Sequence, residues 1–115
     1  MRYFFKSFFY ACKGILTGLR LERNLKIQII IGAITVGGGF YFDISLPDWC
    51  LIILCIGLVL GTELMNTAVE NLVNLVTKEQ NPLAGKIKDM AAGAVLIISL
   101  TSLIVGIVIF RKYLS

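Results

Sequence analysis

In residues 57–89, GLVLGTELMNTAVENLVNLVTKEQNPLAGKIKD, carboxylates and amides begin while the sequence is still apolar. Glu63, Asn66, Glu70 and Asn74 follow one another at spacings of three, four and four, which sets them on one helix face as a polar, acidic stripe. A carboxylate near the inner end of a spanning helix is costly unless it faces a bundle interior or a water-filled cleft. Such a residue is therefore read first as functional.

Outward from that stripe, the composition is that of a membrane protein. The chain has 115 residues, 57% of them hydrophobic and only 16% charged, and its mean hydropathy is +0.86. That is too apolar for a soluble domain of this size, and the length allows a single domain, 1–115. Eleven Lys and Arg stand against seven Asp and Glu. The cations sit at the edges of apolar segments, where they set orientation, so no nucleic-acid partner is expected. Cys12, Cys50 and Cys55 form no metal-binding pattern, and no disulfide is expected among them. There is no histidine, so proton or metal chemistry must rest on carboxylates.

Residues 1–26 hold six of the eleven cations, with Lys6, Lys13 and Arg20 recurring every seven residues. Phe5, Phe8, Cys12, Ile15 and Leu19 recur on another face, which predicts an amphipathic helix lying in the headgroup region. A signal peptide is the rival reading; Lys13 and Arg20 interrupt its apolar run and no small-residue cleavage site follows. The first span covers 27–42, where Gly37 to Gly39 mark either a frayed helix end or a close backbone approach. After the loop containing Asp43 and Asp48, Pro47 suits the first turn of a second span, 48–76, with Trp49 at the interface. Gly57 and Gly61 make a small-residue pair suited to helix packing. Residues 77–88 form a polar connection, and a third span over 89–110 ends at Arg111 and Lys112. The fold class is all-α, three transmembrane helices plus one surface helix. The N-terminus and the 77–88 loop carry nine cations and the Asp43–Asp48 loop none, which places the first two in the cytoplasm and the C-terminus outside.

Counting from Pro47 at the outer surface, Glu63 lies ~24 Å along the helix and Glu70 ~35 Å, against a hydrocarbon core of ~30 Å. Glu63 thus falls just inside the cytoplasmic boundary and Glu70 just beyond it. Glu22, before the first span, lies near the same boundary and could face Glu70. Two hard oxygen ligands completed by a phosphorylated ligand are the usual way of holding Mg²⁺. Lys88 and Asp89 are read as the start of the third span, where a cation and free helix N–H groups can hold phosphate.

The pattern of Glu63, Asn66 and Glu70, the run AGKIKDMAAGAVL at 84–96 and the run ERNLK at 22–26 resemble the prokaryotic integral-membrane diacylglycerol kinase family. The likeness covers nearly the whole chain and is closest to the Gram-positive branch that phosphorylates undecaprenol. It implies a homotrimer in the cell membrane with sites between subunits at the cytoplasmic interface. It also implies ATP as phosphoryl donor, Mg²⁺ as cofactor, and undecaprenol or diacylglycerol as acceptor. By the resemblance Glu63 is the catalytic carboxylate beside the lipid hydroxyl, and Glu22 and Glu70 hold the metal. Tyr10, Glu22, Asn66, Glu70, Lys88 and Asp89 contact the nucleotide, and Trp49 touches the lipid. No Walker or protein-kinase glycine loop is present, so a nucleotide site must be assembled from acidic side chains and basic groups.

The chain departs from the family pattern at Asn74, where Asp is usual, at Gln28, where an acid or His is usual, and at Gln80-Asn81. Structural readings stand beside the functional ones: Glu63 stapling subunits, Glu22 paired with Arg23, Lys88 and Asp89 as a helix-start charge pair. Two other functions compete, a trimeric cation-conducting protein whose acidic stripe lines a pathway, and a catalytically degenerate scaffold.

Overall fold

The computed structural model describes residues 1–114. These form four helices in the order α1 (Arg2–Leu21), α2 (Arg23–Phe42), α3 (Leu46–Val76) and α4 (Pro82–Arg111). The last three are each long and apolar enough to cross a membrane, which makes this a multi-pass membrane protein.

Local capping decides where each helix begins. Glu22 closes one helix and opens the next: its backbone is extended at φ −121°, ψ 116°, and its N–H donates to the Gly18 carbonyl at 2.9 Å. Its carboxylate accepts from the Asn24 N–H at 3.4 Å. The corner therefore falls at Glu22, and Arg23 to Lys26, read from the sequence as part of the surface segment, already belong to α2. At the far end of α2, Asp43 takes the left-handed conformation at φ 50°, and the Ile44 N–H reaches back to the Gly39 carbonyl at 3.2 Å. Gly37 to Gly39 remain helical, so the glycine run is a close approach and not a frayed end. A Cβ on Gly39 would stand 2.6 Å from Trp49 Cη2, and one on Gly38 would stand 3.3 Å from Phe110.

Asn81 opens α4 by accepting from the N–H groups of Leu83 (2.8 Å) and Ala84 (3.4 Å), with Pro82 as the first helical residue. That cap corrects one expectation. Lys88 and Asp89 lie nearly two turns inside α4, where backbone N–H groups are already spent on the helix, so the lysine side chain alone remains to meet a phosphate.

The most extensive packing is between antiparallel α3 and α4, and α2 lies along α3. Ile44, Ile52 and Ile109 are buried together at the Asp48 end, surrounded by Phe42, Trp49, Phe110 and Tyr113. The same end carries a polar clasp. Asp48 accepts from Lys112 Nζ at 3.0 and 3.2 Å and from the Tyr113 hydroxyl at 2.7 Å, and that hydroxyl accepts from the Ser45 N–H at 3.0 Å. Between α2 and α4 runs an apolar groove of about 940 Å³, lined by residues from Gln28 and Ile31 through Ile56 and Ser102 to Phe110 near the Asp48 end. α1 touches the rest chiefly at Gly18, where an added Cβ would collide with Leu64. Its side chains before Gly18 are exposed. Gly57 and Gly61 have nothing within 4 Å of an added Cβ, so their face of α3 is bare in the single chain.

Candidate active site at the acidic end of the helices

Glu63 is the most completely buried large side chain of the described residues, at 2% exposure. It is held on α3 where α1 crosses it, one residue before the Leu64 that packs on Gly18. Around its carboxylate lie the carboxylates of Glu22 and Glu70 and the amides of Gln28 and Asn66. Helix spacing brings Asn66 and Glu70 together, with Asn66 Nδ2 donating to Glu70 Oε1 at 3.3 Å. The corner at Glu22 supplies the third acid. Thr67 Oγ joins it to α3, 3.5 Å from Glu22 Oε2 and 3.1 Å from the Glu63 carbonyl. Asn71 Nδ2 in turn donates to the Thr67 carbonyl at 2.8 Å.

Three acceptors in this small volume have no hydrogen-bonding partner: Glu63 Oε1, Gln28 Oε1 and Asn66 Oδ1, all buried. An unpaired buried acceptor costs about 1–3 kcal/mol, so three together mark a place built to receive donors or a cation. No three acidic or cysteine side chains among the described residues converge tightly enough to enclose a metal ion. The set does fit Mg²⁺, which is ordinarily held by one or two carboxylates while phosphates and waters fill the rest. The unpaired carboxylate oxygen and the two neighbouring acids are hard ligands of that kind.

Beyond Glu70 the α3–α4 turn encloses a second, polar hollow of about 580 Å³, lined by Asn74, Thr77, Glu79, Asn81, Gly85 and Lys88 among others. Lys88 Nζ donates to Asn74 Oδ1 at 2.6 Å across its mouth. Asn74, one of the departures from the family pattern, thus positions the lysine.

The predicted residues therefore fall into groups. Glu22, Glu63, Asn66 and Glu70 are brought together, and Lys88 stands one helical turn further on. Asp89 is exposed. Tyr10 lies on the exposed part of α1, edge-on to Phe9 at 5.8 Å. Trp49 packs on Gly39 and Phe40 at the other end of α3, ~21 Å from Glu63 along the helix. Glu22 makes no ion pair with Arg23: the one salt bridge among the described residues is Asp48 with Lys112. Thr67 is not foreseen from the sequence, nor is the lining of the α3–α4 hollow apart from Asn74 and Lys88. A threonine four residues after Glu63 looks like any helix threonine, and its partner is 45 positions away.

A buried acid with an unpaired oxygen, flanked by two half-buried acids and two amides at one end of a packet of apolar helices, next to a lysine-rimmed polar hollow, defines an integral-membrane protein equipped to bind a charged ligand at its surface. Comparison with known proteins makes this particular. A family model described as prokaryotic diacylglycerol kinase matches residues 9–110. The chain is 41% identical over 107 residues to the undecaprenol kinase of Bacillus subtilis, covering 93% of this chain and 87% of that one. It is 32% identical over 110 residues to a diacylglycerol kinase of Helicobacter pylori strain 26695, covering 96% and 83%. It is 34% identical over 101 residues to a diacylglycerol kinase of Synechocystis, of which it spans 58%. The chain belongs to the prokaryotic diacylglycerol kinase family and is a lipid kinase.

Proposed function

We propose that this chain transfers the γ-phosphoryl group of ATP to the hydroxyl of a membrane lipid alcohol, with undecaprenol as the principal acceptor and diacylglycerol as the close variant. The observation that carries the reading is the buried Glu63 carboxylate, one oxygen unpaired, with Glu22 and Glu70 beside it. The choice of acceptor is supported by the undecaprenol kinase of Bacillus subtilis, at 41% identity over 93% of the chain.

Glu63 Oε1 accepts the proton of the lipid alcohol as its oxygen bonds to the γ-phosphorus, and the bond from that phosphorus to the bridging oxygen breaks to release ADP. Gln28 and Asn66 flank the carboxylate and hold it within reach. Lys88, steadied by Asn74, meets the phosphate oxygens, and the α3–α4 hollow takes the nucleotide. Mg²⁺, held by Glu22 and Glu70 together with phosphate oxygens, would neutralise charge on the triphosphate. Burial of Glu63 excludes water, which disfavours hydrolysis of ATP over transfer. The lipid needs no cleft around its whole length: its chain stays among apolar helices while its hydroxyl reaches the boundary.

In this reading the N-terminus and the α3–α4 turn face the cytoplasm, α1 lies in the headgroup region, and three copies assemble with sites between them. The bare Gly57 and Gly61 face of α3 supports the assembly. Tyr10 and Asp89, exposed in one chain, then become available to a neighbouring copy's nucleotide, and Trp49 to the lipid tail.

The test is purified protein in vesicles with labelled Mg·ATP and either lipid alcohol. Label is expected on undecaprenol and to be lost by at least ~100-fold in Glu63→Gln, the range for removing a general base. Transfer to neither alcohol would favour a degenerate scaffold; gradient-driven cation flux without ATP would favour a conducting protein. An active Glu63→Gln would overturn the assignment of the base.

A further inference from the structure

We propose that α1 is a docking surface for anionic lipid headgroups, and that this docking holds the Glu22 corner of the site in place. The inference rests on the kinase reading for its second half only. Residues 1–21 contain Arg2, Lys6, Lys13 and Arg20 and not one Asp or Glu. None of these cations forms a salt bridge among the described residues, and all four are exposed. At 100° per residue they fall within a stripe of roughly 40°, spread over ~27 Å of helix. Lys13 leans its ammonium over the Phe9 ring at 5.5 Å, at the border between this stripe and the apolar face.

Geometry separates the stripe from the chain's own site. Gly18 is the residue through which α1 meets Leu64 on α3, and the four cations lie roughly 120–160° round the helix from it. They point away from Glu63, so a nucleotide bound in the same chain does not account for them. A row of unpaired cations above exposed Phe5, Phe8 and Leu16 matches a membrane surface bearing negative headgroups, where each cation adds roughly fivefold to partitioning. The consequence for the site follows from the corner. Glu22 is at once the last residue of α1's hydrogen bonding and the cap of α2, with its N–H on Gly18 and its carboxylate near Thr67. Wherever α1 rests, Glu22 rests with it.

The experiment compares vesicles of phosphatidylcholine alone with vesicles containing added phosphatidylglycerol, for the full chain and for Lys6→Gln/Lys13→Gln/Arg20→Gln. The full chain is expected to transfer phosphate several-fold faster as phosphatidylglycerol rises, an increase that salt abolishes. The triple variant is expected to show a flat response, with its rate in phosphatidylcholine and its KM for ATP unchanged. A variant that keeps the response, or that raises the KM for ATP, overturns the proposal in favour of a cation role at the nucleotide. Maleimide labelling of Cys12 in a Cys50→Ala/Cys55→Ala background reads docking without catalysis. It is expected to slow on adding phosphatidylglycerol in the chain with its cations and not in the triple variant; equal labelling overturns the docking. Labelling that slows without any rise in rate overturns the link to Glu22. A chain inactive on every acceptor would end the kinase reading while the labelling still decided this one.

Discussion

Replacing Thr67 with valine removes one hydroxyl from the site and almost nothing else. Thr67 is 5% exposed, and valine has the same branched shape, so no cavity opens. The threonine has a single proton for two acceptors, the Glu63 carbonyl at 3.1 Å and Glu22 Oε2 at 3.5 Å. The Glu63 carbonyl keeps its place in the helix regardless, so the loss falls on Glu22. A hydrogen bond to a carboxylate is worth about 1.5–3 kcal/mol at good geometry, but this one is long and shared, which lowers it to about 0.5–1 kcal/mol. That corresponds to roughly a two- to fivefold change in an equilibrium constant.

If Glu22 is a ligand of the nucleotide's metal, the change must appear in the Mg²⁺ dependence. The half-saturating Mg²⁺ concentration of Thr67→Val is expected to rise roughly two- to fivefold, with the rate at saturating Mg²⁺ nearly unchanged. Thr67→Ser keeps the hydroxyl and is expected to stay close to the parent. The assay is the initial rate of label transfer across a Mg²⁺ titration at fixed ATP. A valine variant that saturates like the parent would refute the reasoning, as would a serine variant as impaired as the valine.

Lys88→Met keeps the aliphatic stem and removes the cation steadied by Asn74; the KM for ATP is expected to rise about tenfold with kcat little altered, read from initial rates. Tyr113→Phe removes the donor to Asp48 and the acceptor for the Ser45 N–H; it should lower stability by about 1–3 kcal/mol, measured as unfolding in mixed detergent, without moving the KM for ATP. Gly39→Ala puts a methyl 2.6 Å from the Trp49 ring and is expected to cost about 1–3 kcal/mol in the same unfolding assay. Gly37→Ala, with nothing within 4 Å, serves as its control and is expected to be neutral or slightly stabilising.

Much of this site could be read from spacing because its acids lie on one helix. Glu63, Asn66 and Glu70 are local to α3, and period alone puts them together. Glu22 could be placed at the right depth but not in the right posture: that it caps α2 depends on a backbone break at Glu22 itself, which the flanking cations disguised as part of a longer surface segment. The start of α4 was legible in Asn81-Pro82, an N-cap followed by a first-turn proline, yet hydropathy pulled the boundary to residue 89 because Lys86, Lys88 and Asp89 look like a loop. Contacts between residues far apart in the chain left no periodic trace. Thr67 with Glu22 and Asp48 with Lys112 and Tyr113 join positions 45 to 65 residues apart, and in the sequence Lys112 marks only the end of the third span.

The two ends of α3 carry opposite solutions to one problem. Each buries a carboxylate, Asp48 at 5% exposure and Glu63 at 2%. Asp48 is fully answered, with an ammonium and a phenol donating to it and a backbone N–H holding the phenol in turn. Glu63 is answered only in part: the amides of Gln28 and Asn66 lie beside it, but its Oε1 is unpaired, no cation faces it, and two of its neighbours are acids that repel it. The same chain thus contains the means of pairing a buried acid and withholds it at one end only. Over 31 residues α3 is ~46 Å long, more than the ~30 Å a bilayer core requires, and the surplus turns are those bearing Glu70 and Asn74. A packing fault would not be placed so consistently. Counted by length, the unpaired end is the one nearest the edge of the hydrocarbon, and in the function proposed above its free acceptors would meet the hydroxyl of a lipid alcohol and the cation of a metal-bound triphosphate.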